Sequence, residues 1–201
     1  MQRERFKNAK EIFNRHGGVL TRKQAVEAGM SPNTFYAMEK AGVITIVSRG
    51  WYRLADMPPT SNPDLATVAL RVPKGVICLI SSLSFHEITT QIPHMVYVAL
   101  EKNSAEPRLD HPPIRTFRFS GESFRAGVET HSIDGIETKI YNVEKTIADC
   151  FKFRNKIGLD VALEALSTYR RSEKFDAGIL LKYARICRVE KVIRPYLEAV
   201  L

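Results

Sequence analysis

Long apolar runs are missing from this chain of 201 residues: stretches such as 76–80 and 95–100 fall far short of the about 18 residues a membrane-spanning helix needs. No bilayer-crossing helix is expected. The opening MQRERFKNAKEIF interleaves charge with apolar residues and has no continuous apolar core or small-residue cleavage site, so no secretory leader is read there and a cytoplasmic location is expected. Cysteine is scarce as well. Cys78, Cys150 and Cys187 are odd in number and widely spaced, which suits neither a disulfide framework nor paired C-x-x-C zinc ligands, and predicts reduced, buried thiols.

The signatures of common catalytic machinery are also absent. There is no G-x-S-x-G elbow and no glycine-rich phosphate loop. The five histidines, at positions 16, 86, 94, 111 and 131, never recur at i, i+4 around a glutamate, so no metal or cofactor is expected, and His131 reads as an exposed strand residue. Ser81 and Ser82 are explained as caps at a helix start. Asp110 and, further on, Glu137-Thr138-Lys139 follow the Asp…Glu-x-Lys order of metal-dependent nucleases, but ordinary cross-strand charge pairing is the preferred explanation. The chain is read as not an enzyme.

What is present is positive charge. Hydrophobic residues make up 44% and charged residues 26%, an ordinary globular balance, yet the net charge is +8. Residues 1–57 carry ten basic and five acidic side chains, residues 58–151 nine and eleven, and residues 152–201 eleven and six. The excess therefore sits at the two ends, implying two basic surfaces or one composite surface and an anionic partner. In the last third, Lys152, Arg154, Lys156, Arg170, Arg171, Lys174, Lys182, Arg185, Arg188, Lys191 and Arg194 interleave with aromatics, which suits phosphate contact, an acidic partner, or a solvated helical face.

The amino-terminal pattern is specific. Phe6, Ala9, Ile12 and Phe13 mark an amphipathic helix that ends near His16-Gly17-Gly18, and Val19-Leu20 form a short extended link. Thr21 with Gln24 makes a capping box for a second helix to about Ala28, and Ser31-Pro32 caps a third that Gly42 stops. Residues 43–47 and 51–54 flank the Ser48-Arg49-Gly50 turn as a hairpin. Helix, helix, turn, helix, hairpin is the winged helix-turn-helix plan, although a generic three-helix module would look similar.

Residues 58–63, with three prolines, read as a linker. Beyond it, a short helix from Asp64 to Arg71, a buried strand over 75–80, a helix from Ser81-Ser82 to Thr89, and strands over 95–100 and 114–119 are expected. A hairpin around Asp134-Gly135 follows, and then helices over 143–153, 160–169, 176–187 and 190–200. The fold class is α+β: a winged helix-turn-helix over 1–57, a linker, and a mixed α/β domain over 64–201 whose carboxy-terminal part is helical.

Two segments of that domain, ISSLSFHEITTQIPHMVYVAL (residues 80–100) and YNVEKTIADCFKFRNKIGLDVALEAL (residues 141–166), resemble the second domain of AbiEi-type antitoxins of bacterial abortive-infection type IV toxin–antitoxin systems. The amino-terminal plan is similar to that family's organisation too. The resemblance implies an antitoxin of phage defence that represses its own operon at promoter inverted repeats. It implies a second partner as well, a nucleotidyltransferase-like toxin that is neutralised without necessarily forming a stable complex.

On the winged-helix reading, Asn33, Thr34 and Tyr36 would meet base edges and backbone in a major groove, with Ser31 and Pro32 beside a phosphate. Arg22, Lys23 and Lys40 would hold phosphates, and Arg49 would enter a minor groove from the hairpin tip. For antitoxin function the candidates on the family-like segments are Ser82, His86, Thr89, Thr90, Gln91, Lys145, Asp149, Lys152, Arg154 and Asn155, of which Asp149 is expected to be a buried partner of Lys152 or Arg154. The alternatives are a stand-alone ligand-responsive winged-helix transcription factor and, behind it, a metal-dependent nuclease using Asp110, Glu137 and Lys139.

Overall fold

A computed structural model describes residues 2–58 and 61–200. They divide into two compact units: one runs to Arg71 and includes Ser132–Glu137, and the other comprises Val72–His131 and the chain from Thr138 onward. The division falls after Arg71, whereas the sequence placed it at 58–63. The helix after the prolines, counted with the second domain on sequence, belongs with the first unit. Pro59 and Thr60 of the expected linker lie outside the described residues.

The amino-terminal unit runs α1 (Gln2–Arg15), β1 (Val19–Thr21), α2 (Arg22–Glu27), α3 (Pro32–Lys40), β2 (Ile44–Ser48), β3 (Trp51–Leu54) and α4 (Pro63–Arg71). The expected extended link at Val19-Leu20 is a strand, and the three strands form one antiparallel sheet in the order β1-β3-β2. Both predicted caps are present. Thr21 accepts from the Gln24 amide while the Gln24 side chain accepts from the Thr21 amide, and the Ser31 hydroxyl accepts from the Thr34 amide with Pro32 in the first helical position. Each such cap is worth about 1 kcal/mol.

The turn between α2 and α3 is equally determined. The Met30 amide reaches back to Ala25 O at 2.9 Å and the Gly29 amide to Val26 O at 3.0 Å, with Gly29 at φ 98°. This is the Schellman closure, which needs a left-handed residue that glycine supplies without strain. Met30, the residue after it, is buried and fastens the turn to the core. That core takes Phe13, Leu20, Ala25, Phe35, Met38, Ile44 and Leu54 from successive elements. Phe35 is fully buried, so truncating it to alanine removes about 3–5 kcal/mol.

A mixed sheet in the order β6-β5-β4-β8-β7 is built from β4 (Val76–Ile77), β5 (Val96–Glu101), β6 (Ile114–Phe119), β7 (Val128–Ile133) and β8 (Ile136–Tyr141), all of it in the second unit except the turn end of the β7–β8 hairpin. Strand β4 pairs antiparallel with β5 and parallel with β8, and β5 pairs parallel with β6. The helices are α5 (Leu79–Phe85), α6 (Glu122–Arg125), α7 (Val143–Lys152), α8 (Arg154–Ile157), α9 (Leu159–Arg170), α10 (Ala177–Ile186) and α11 (Glu190–Val200). Asn142 and Asp176 cap α7 and α10 through side-chain oxygens that accept from the Lys145 and Ile179 amides.

Three expectations need correction here. The strand read over 75–80 stops at Ile77 because Cys78 and Leu79 turn the chain into α5, Leu79 at φ 48°. Ser81 and Ser82 are therefore interior residues of a helix, not its caps. That helix stops at Phe85 instead of Thr89, through the same Schellman closure as α2: the Ile88 amide bonds Leu83 O at 3.0 Å and the Glu87 amide bonds Ser84 O at 3.1 Å. The left-handed position is occupied by Glu87, at φ 58°, and not by a glycine. Helix α10 ends in the same way with Arg188 at φ 61°.

Candidate functional site

Helix α3 buries one face and exposes the other, because Phe35 and Met38 point into the core while Asn33, Tyr36 and Lys40 remain exposed. Tyr36 is 49% exposed, and the Arg22 guanidinium lies 4.4 Å from its ring centroid. The first residue of α2 thus braces an exposed aromatic on α3. At an exposed site such a cation–π contact is worth about 0.5–1 kcal/mol and favours this pairing of the two side chains. Lys23 is exposed and stands 3.8 Å from Glu27, so its charge is partly answered locally. Ser31 and Pro32 are exposed at the start of α3.

Thr34 does not share that face. It is 7% exposed, its hydroxyl accepts from the Arg5 guanidinium at 2.9 Å, and it lies 2.7 Å from the Ser31 hydroxyl. Both polar ends are thus held inside the unit, so Thr34 ties α1 to the start of α3 instead of facing a groove. Arg5, on the charged face of α1, was missed on sequence, where nothing separates it from its solvated neighbours. The β2–β3 hairpin carries exposed Arg49 at its turn and Ile46, 63% exposed, on β2.

In the second unit the candidates separate by burial. Ser82, Lys145 and Asp149 have no solvent access. The Ser82 hydroxyl donates to Tyr141 O at 2.9 Å and lies 2.8 Å from the Thr146 hydroxyl. Lys145 pairs with Asp149, four residues along α7, and its ammonium lies 3.9 Å from the Tyr141 ring centroid. The partner of Asp149 is therefore Lys145, not Lys152 or Arg154, because its other oxygen is turned to Cys187, whose thiol donates at 3.2 Å. Burial pushes the Asp149 carboxyl up, against the pull of Lys145 and Cys187. All three cysteines are free and buried, and burial pushes the Cys187 thiol to about 12, which leaves it inert as a nucleophile at neutral pH.

The remaining candidates are nearer solvent. The Thr90 amide and hydroxyl both donate to Glu164 Oε1 at 2.7 Å, and the Thr89 hydroxyl donates to the other oxygen at 3.2 Å, which holds the Glu164 carboxyl below its usual range. Gln91 follows with its amide on the Thr89 hydroxyl. Arg154 donates to Phe151 O at the end of α7, and Asn155 is exposed on α8. Lys152 lies beside Phe119 and lines an open cleft of about 900 Å³ together with Ser120, Glu122, Arg185 and Arg188. Part of the basic run is neutralised in place, since Arg185 and Arg194 both pair with Glu190.

His86 caps the end of α5, and its Nε2 lies 2.8 Å from Tyr141 O. Burial holds this imidazole below its ordinary value. His131 on β7 lies within 3.1 Å of Glu129, and Phe85 packs edge-on against both imidazoles. One potential ligand atom from each of His86, Glu129 and His131 falls within 4.8 Å of the others. The group includes neither Asp110 nor Glu137, and the Lys139 ammonium of the nuclease alternative donates to Pro73 O at 3.4 Å. His131 is only partly exposed, not the open strand residue expected.

Residues 9–55, which hold the capped helices and the hairpin, match the model of a family described as transcriptional regulator, AbiEi antitoxin. The amino-terminal unit carries an AbiEi-type antitoxin regulator domain. The match begins inside α1 and closes just past β3, so it spans the exposed face of α3 described above and leaves the second unit outside it. Over the whole chain, a crystal structure of the RV2827C protein from Mycobacterium tuberculosis is similar with a TM-score of 0.52, covering 98% of this chain and 80% of that one at 11% sequence identity. That likeness is one of fold. No curated protein matches the chain.

Proposed function

We propose that the chain is the antitoxin and autorepressor of a type IV toxin–antitoxin operon in phage defence. Its AbiEi-type domain binds promoter inverted repeats as a winged helix-turn-helix, and its second unit neutralises a nucleotidyltransferase-like toxin without requiring a stable complex. It acts in the cytoplasm and has no catalysis of its own. The observation that carries the reading is the division of α3: Phe35 and Met38 anchor it, while Asn33, Tyr36 and Lys40 stay exposed beside Arg22, within residues that match the antitoxin regulator family. A helix presented in this way suits a major groove, and exposed Arg49 at the hairpin turn suits the neighbouring minor groove. The antitoxin half rests on the resemblance of residues 80–100 and 141–166 to the family's second domain.

Fluorescence anisotropy of the full chain on its own upstream promoter DNA and on a scrambled duplex, at two salt concentrations, tests the repressor half. Tight binding to the promoter alone supports it. Weak, equal binding to both duplexes that disappears with salt would refute sequence reading by α3. Rescue of growth when the chain is expressed with the neighbouring toxin gene tests the other half, and a failure to rescue removes it.

A further inference from the structure

We propose that His86, Glu129 and His131 form a binding site for one divalent transition-metal ion of the zinc class. The proposal is independent of the DNA-binding reading. Two imidazoles and a carboxylate are a common protein donor set for such an ion, with the remaining coordination position left to water.

The arrangement of His86 favours this role. Tyr141 O can only accept a hydrogen bond, so at 2.8 Å it takes the proton on His86 Nε2 and leaves the lone pair on Nδ1. A ligating histidine generally has its second nitrogen held by a carbonyl or carboxylate in this way, which sets tautomer and ring orientation. The carbonyl is itself held by the buried Ser82 hydroxyl.

The other two donors come from alternate positions of β7, which places Glu129 and His131 on the same face of the strand. The 3.1 Å contact between His131 Nε2 and the Glu129 carboxylate is bridged by a proton that a dication can displace. The two imidazole centroids are 5.9 Å apart at 73°, inside the about 6.5 Å that two rings could span on a shared ion with metal–nitrogen bonds near 2.1 Å. Closing the set from within 4.8 Å to bonding distance falls to side-chain rotation of Glu129 and His131, which are 49% and 31% exposed and give the ion its entry path. The i, i+4 rule for zinc helices finds nothing here, because the ligands are an i, i+2 strand pair and a histidine more than forty residues earlier.

The test is a titration of the tag-free, chelator-treated full chain with Co²⁺, read by visible absorption, followed by displacement with Zn²⁺. The expected result is one equivalent with d–d bands, and an affinity lower by about tenfold or more in both His131→Ala and Glu129→Gln. Circular dichroism establishes that each variant is folded. Should a variant fail to fold, the imidazole proton resonances of the wild-type chain decide instead: Zn²⁺ should shift those of His86 and His131 and spare the other three histidines. No saturable binding, a titration that either folded variant leaves unchanged, or shifts at other histidines would overturn the site.

Discussion

Asp149 follows Lys145 by one turn of α7, and its carboxylate is divided between that ammonium and the Cys187 thiol with no solvent access. Two buried charges lose their hydration, and their mutual attraction offsets that cost only while both are present. Lys145→Met should therefore lower unfolding stability by about 3–5 kcal/mol, because Asp149 is left buried with a thiol alone. The double variant Lys145→Met/Asp149→Leu should recover most of the loss. Urea denaturation of the three proteins checks this, and a single variant within about 1 kcal/mol of wild type would show that the pair is not closed to water.

Thr34 provides a second test, since its hydroxyl is enclosed by Arg5 and Ser31 beneath the exposed face of α3. Thr34→Val keeps the shape and removes the hydrogen bonds. Stability should fall by about 1–2 kcal/mol while the ratio of promoter to scrambled-duplex affinity stays unchanged. An altered ratio with unchanged melting temperature would return Thr34 to the reading face.

The limits of sequence reading are clearest at helix ends. Helices α1, α2 and α3 stop where glycine stands in the left-handed position, and those stops are legible because Gly17, Gly29 and Gly42 announce them. Helices α5 and α10 close by the same hydrogen bonds through Glu87 and Arg188, residues that carry no stop signal, so the sequence pattern runs α5 on past its end. Ser82 and Lys145 stand among the functional candidates because a polar side chain in a sequence does not disclose that its partners enclose it; the burial of Asp149 is legible there, but its partner Lys145 is not. Partners remote in sequence, such as Glu164 for Thr90, carry no periodic signal at all. The capping and core pattern of the first unit is local, and it was legible almost residue by residue.

Those left-handed residues should be improvable. A side chain at positive φ costs about 1–2 kcal/mol relative to glycine, and Glu87 is exposed at φ 58°. Glu87→Gly should raise unfolding stability by roughly 1 kcal/mol, less than the full strain because glycine also loosens the unfolded chain. Thermal unfolding measures it. A decrease would mean that the carboxylate makes a contact worth more than the strain.

The Glu164 carboxylate should set a pH dependence. Its donors on Thr89 and Thr90 stabilise the charged form, so its pKa is lower in the folded chain than in the unfolded one. The contribution is therefore complete above the ordinary value of 4.5 and disappears as pH falls through the lower folded value. Glu164→Gln should lower stability at neutral pH and flatten the loss below that range. Denaturation midpoints from pH 7 to pH 3 read this directly, and parallel curves for the two proteins would rule the linkage out.

Arg49 and Lys23 should differ in what they give to DNA. Both are exposed on the amino-terminal unit, but Lys23 stands 3.8 Å from Glu27 whereas Arg49 projects from the turn between β2 and β3. Each phosphate contact contributes about 0.9 to the slope of log affinity against log salt, because binding releases the counterion that the phosphate held. Arg49→Ala should therefore reduce the slope by about one contact and weaken binding to both promoter and scrambled duplexes. Lys23→Ala should do less, since its charge is already shared with Glu27, and Glu27→Gln should strengthen binding by freeing that charge. Anisotropy titrations at several salt concentrations separate the cases. Equal slopes for wild type and Arg49→Ala would take the hairpin turn out of the interface, and an unchanged affinity in Glu27→Gln would take Lys23 out with it.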